Sequence, residues 1–212
     1  MATEKKRKSW RDLGAEMIGI IFAVLLALWL EGWREDIERQ DRADDFLVRI
    51  QVEVNENRDS LKSAITANQR NIDGLTNALK AEKVEFEVLA NFLEFDAGAT
   101  RSAAWNSAQM TRSISEMPVE TTTTLAALYD TQAYFADYVR VFLRQYTDLT
   151  VAMQHGSDPR TAAQKFVMHM AIVNSLATQA VSVYDTFLGP EAATEAEDEP
   201  LTDAEKVQEP AS

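Results

Sequence analysis

The chain has 212 residues, no cysteine, 21 basic and 34 acidic residues, and a net charge of −13. Lack of cysteine excludes disulfides and thiolate metal sites. The acidic balance offers nucleic acid no basic surface beyond the short patch Lys5-Lys6-Arg7-Lys8.

The first element is Leu13 to Trp33. Met17 to Leu30 are fourteen consecutive uncharged residues. Alone they reach about 21 Å at ~1.5 Å per residue, short of the ~30 Å hydrocarbon core, so Glu16 and Glu31 fall near the two interfaces if the segment spans. Trp10 on one side and Trp29 and Trp33 on the other fit the aromatic belts of a membrane helix. Lys5, Lys6, Arg7, Lys8 and Arg11 precede the segment, whereas mixed charges follow it. The N-terminus is therefore expected in the cytoplasm and the remainder outside. No small-residue cleavage site follows the apolar run, so a retained signal-anchor is favoured over a cleaved signal peptide.

Ala15, Gly19, Ala23 and Ala27 recur every fourth residue, a small-residue stripe that permits close helix approach in lipid. Ordinary membrane-helix composition gives the same residues. Glu16, one turn inside the span, reads either as a functional acid or as an interfacial one neutralised by Lys8 or Arg11, and the interfacial role is favoured.

The reading divides the chain into a basic N-terminus (1–12), a membrane helix (13–33), a helical domain (34–188) and an acidic tail (189–212). In the domain, Leu47, Ile50, Val54, Leu61, Ile65, Ile72, Leu75 and Leu79 alternate steps of three and four, with Asn57 and Asn68 in the polar gaps. This predicts a long helix over 35–80, continuous with the membrane segment unless Gly32 interrupts it, and bent at Gly74. A short helix is expected over 82–95, a turn at Asp96 to Thr100, and a second short helix over 102–115 that contains Trp105 and ends before Pro118.

From Val119 to Gln154 the positions Leu125, Leu128, Gln132, Phe135, Val139, Phe142, Tyr146, Leu149 and Met153 keep a heptad. His155-Gly156-Ser157-Asp158-Pro159 should close that helix and open the next. Phe166, Met170, Val173, Ala177, Ala180, Tyr184 and Phe187 repeat the pattern until Leu188-Gly189-Pro190 stops it. The expected fold is all-α: one transmembrane helix, then an elongated antiparallel helical bundle. The tail carries eight acids against Lys206 and almost no bulky apolar residue, a composition that predicts disorder.

Two stretches carry a resemblance. Gly14, Glu16, Gly19, Ala27-Leu28 and Trp33, within Gly14 to Asp36, are similar to the DUF6090-like family of bacterial single-pass membrane proteins of uncharacterised function. In Ser102 to Gln132, Trp105 precedes a polar link and then Leu125, Leu128 and Tyr129, also as in that family. The chain departs from the pattern in its Gly14-Ala15-Glu16 spacing. It also lacks the glycine after the Trp helix, where Met110 or Thr111 lies. The resemblance implies a bacterial inner-membrane anchor with a periplasmic helical domain, and no reaction or ligand.

Chemistry-bearing constellations are scarce. His155 falls in a turn, and His169 has Val173 and Lys165 four residues away, so no zinc helix is indicated. No nucleophile elbow, phosphate loop or Glu-x-x-His pair occurs, so no cofactor, metal or catalytic activity is expected. Trp105, Tyr129, Gln132, Tyr134 and Tyr138 are candidates for a ligand pocket or a partner contact, although the heptad aromatics read more simply as core. Asn57 and Gln132, which break their stripes, are suited to pair across the bundle. The favoured function is a membrane-anchored interaction, scaffold or accessory protein that meets lipid and either itself or another membrane protein. The alternative is an extracytoplasmic sensory or small-molecule-binding bundle acting through a partner.

Overall fold

A computed structural model describes residues 10–189, with side chains from Met17 onward. The basic patch Lys5 to Lys8 and the acidic tail beyond Gly189 lie outside the described residues. Trp10, Ala15 and Glu16 are placed by their backbone alone. The described chain is all-helical, with no strand among its residues. Its helices are α1 (Trp10–Ala78), α2 (Phe86–Ala90), α3 (Ala103–Met110), α4 (Val119–His155) and α5 (Pro159–Leu188), with a 3-10 turn at Ser113–Glu116.

The apolar N-terminal segment and the first domain helix are one unbroken element of 69 residues, roughly 100 Å long. Gly32 does not interrupt it. The exposed stretch that follows is rich in neighbouring-turn pairs: Arg34 to Glu38 at 3.2 Å, Arg39 to Glu35 at 3.6 Å, and Arg39 to Asp36. Such pairs each stabilise a helix by about 0.2–0.5 kcal/mol and offset part of the ~1 kcal/mol cost of glycine. From Ala43 onward the helix has a buried face. Ile50, Val54, Leu61 and Leu75 are fully buried, with Asn57 and Asn68 among them. Gly74 lies inside the helix, and a Cβ there would come within 2.3 Å of the Phe92 ring. Its absent side chain seats an aromatic.

α5 runs back along α1. Arg160 near its start donates to the carbonyls of Leu79, Ala81 and Glu82, Asn174 donates to the Ile65 carbonyl at 3.2 Å, and Asp185 near its end meets Lys62 at 3.2 Å. Arg160 thereby satisfies backbone carbonyls of the segment just after the end of α1 at Ala78. Asp158 caps α5 in turn, accepting from Thr161 N at 3.0 Å, with Pro159 in the first turn. α4 packs on α5, and the heptad residues Leu125, Leu128, Phe135, Phe142, Phe166, Met170 and Tyr184 fill the common core. Phe142 is its aromatic centre, edge-on to Phe95 and Phe166 at 4.8 and 5.2 Å between centroids.

The segment between α1 and α4 departs most from the sequence expectation. The helix over 82–95 shrinks to Phe86–Ala90, and 93–102 are not helical. Side chains of α1 and α4 take up the backbone of this strap instead. Tyr146 donates to the Leu93 carbonyl at 2.8 Å and Asn71 to Glu94 at 2.8 Å. Asn68 holds both the carbonyl and the N–H of Asp96, at 2.7 and 2.9 Å. Ser60 accepts from Ala99 N at 2.7 Å, and Asn57 holds both backbone groups of Arg101 at 2.8 Å.

The register explains the extended form. Asn57 and Asn68 are three helical turns apart, ~16 Å, and five extended residues from Asp96 to Arg101 cover the same distance. A helical strap would fall short. Gly98, at φ 64°, where an added Cβ would come within 2.7 Å of Leu61 Cδ2, supplies the left-handed step. The helix expected over 102–115 is likewise divided. It stops at Met110, Arg112 turns left-handed at φ 59°, and the 3-10 turn follows.

Candidate functional site

Two features stand out from the fold. The first is the apolar end of α1. Its large apolar residues between Met17 and Trp33 are 44–69% exposed, and Gly19, Ala23 and Ala27 line one exposed face. A Cβ added at Gly19 would meet nothing within 4 Å, so this glycine has no structural reason within the chain. Trp29 and Trp33 stack on each other at 6.0 Å. Two helices, α1 and α5, are long and apolar enough to cross a membrane. They differ in surroundings: the apolar window of α1 is wholly unburied, whereas α5 turns Phe166, Met170, Val173 and Tyr184 into the domain core.

The second feature is a buried polar network where α1, the strap, α4 and α5 meet. The Asn57 amide nitrogen donates to Gln132 Oε1 at 3.1 Å as well as to the Arg101 carbonyl. Gln132 Nε2 donates to that same carbonyl at 3.0 Å, and its Oε1 also accepts from the Tyr184 hydroxyl at 2.7 Å. One turn of α1 earlier, the carboxyl of buried Glu53 accepts from the Tyr129 hydroxyl at 2.7 Å and from Ala104 N, near the start of α3, at 3.0 Å. Burial, reinforced by the bond to Glu53, pushes the Tyr129 phenol far above its usual range. Burial, with the Glu53 charge, does the same to Tyr184. Both phenols therefore remain donors.

Of the sequence-derived candidates, Trp105, Tyr129 and Gln132 come together here, with Trp105 stacked on Tyr129 at 5.3 Å and nearly parallel. Tyr138 lies elsewhere, its hydroxyl 3.1 Å from Nδ1 of His169, whose ring stacks on Phe142 at 5.4 Å. Tyr134 is exposed. Glu53, Tyr184 and the Arg101 backbone are the members that sequence reasoning missed. Glu53 carried no signal, being one more acid on a charged helix, and Tyr184 read only as a heptad core position.

Chemically the network is saturated: each amide and phenol in it already has a partner within the chain. The adjacent surface cleft, about 390 Å³, is lined by Phe46, Arg49, Val52, Glu53, Arg101 and Ser107, among others, and Trp105 is not part of its wall. Among the described residues no group of three or more His, Asp or Glu side chains could hold a metal ion. Compared with protein-family models, with curated proteins and with solved structures, the chain matches none.

Proposed function

We propose that this chain is a single-pass, membrane-anchored helical interaction module of the kind the DUF6090-like resemblance implies. The observation that carries the proposal is the character of α1, whose apolar third has no partner in the chain while its remainder is the backbone of a folded domain. Fourteen uncharged residues bounded by tryptophans are costly to leave in water and suited to a bilayer. The basic flank orients the N-terminus to the cytoplasm of a bacterial cell and the domain to the periplasm. With the polar network of Asn57, Gln132, Tyr184, Glu53 and Tyr129 paired internally, we read the domain as offering surfaces rather than a reaction centre. Its role is that of a scaffold, accessory or assembly factor. It joins a second copy or another membrane protein through the face of Ala15, Gly19, Ala23 and Ala27.

The test is gentle detergent extraction of the tagged native protein, followed by mass determination in solution and identification of co-purifying chains. An integer multiple of 23.8 kDa above one, or a stoichiometric second membrane protein, is expected. Gly19→Ile with Ala23→Ile should dissolve either assembly. A lone monomer, or an assembly indifferent to that change, would refute the proposal.

A further inference from the structure

We draw no further inference here: the strongest candidate, the exposed apolar patch of Met110 and Val119 where α3 ends and α4 begins, carries none, because nothing in the structure shows what covers it.

Discussion

Replacing Gly74 with alanine tests the packing of the strap against α1, because two effects of known size oppose each other there. In an open helix position the change stabilises by about 1 kcal/mol. Here the new methyl would lie 2.3, 2.4 and 2.6 Å from Cδ1, Cε1 and Cγ of Phe92. Carbon contacts are comfortable near ~3.5–4.0 Å, so the overlap exceeds an ångström. Because Cγ is included, rotating the ring does not relieve it, and Phe92 must leave its seat. Overpacking of this kind costs about 1–3 kcal/mol, and the upper end applies to so deep an overlap. The net expectation is a loss of about 2 kcal/mol in the natural background. In a Phe92→Ala background the obstacle is gone, and the same substitution should stabilise by about 1 kcal/mol. Guanidinium unfolding of the full chain in mild detergent, followed by helical circular dichroism, reads both numbers as a double-mutant cycle. A higher unfolding midpoint for Gly74→Ala alone, or the same shift in both backgrounds, would refute the reasoning.

Asn68→Leu strands both backbone groups of Asp96 in a part-buried site and should cost about 3 kcal/mol, with loss of hydrogen-exchange protection at the Asp96 amide and its neighbours. Retained protection would show that the strap is held by its apolar side chains alone. Arg112→Gly removes a left-handed non-glycine residue and should stabilise by about 0.5–1 kcal/mol after the entropic cost of glycine, seen as a raised melting temperature. An unchanged or lower melting temperature would contradict this. Tyr129 and Tyr184 have folded pKa values raised above the unfolded one, so the stability they contribute is complete below pH ~10 and lost as pH rises beyond it. Stability should fall in that window by up to ~1.4 kcal/mol per pH unit for each tyrosine, and Tyr129→Phe should flatten the slope. An identical slope in the variant would remove Tyr129 from the account.

Periodicity by itself determined the helical elements whose apolar spacing repeats over several turns. The heptads of α4 and α5, the stripe from Ile50 to Leu75, the Asp158-Pro159 start and the membrane-length run before them are all local patterns, each repeated often enough to outweigh a single exception. Asn57 and Gln132 were legible as exceptions, because a polar residue on a buried face needs a partner. Only the tertiary structure decided what that partner was. The strap from Leu93 to Ser102 has no periodic signal, since its conformation is dictated by asparagines on α1 that lie up to 44 residues away in sequence. For the same reason the short helices were drawn too long: Leu93 and Glu94 give their carbonyls to Tyr146 and Asn71, and no local pattern announces that. Gly74 and Arg112 show the same limit at single positions. A glycine in a helix reads as a weak point until the ring that fills its place is seen, and a left-handed arginine reads as an ordinary helical residue until the chain must turn there.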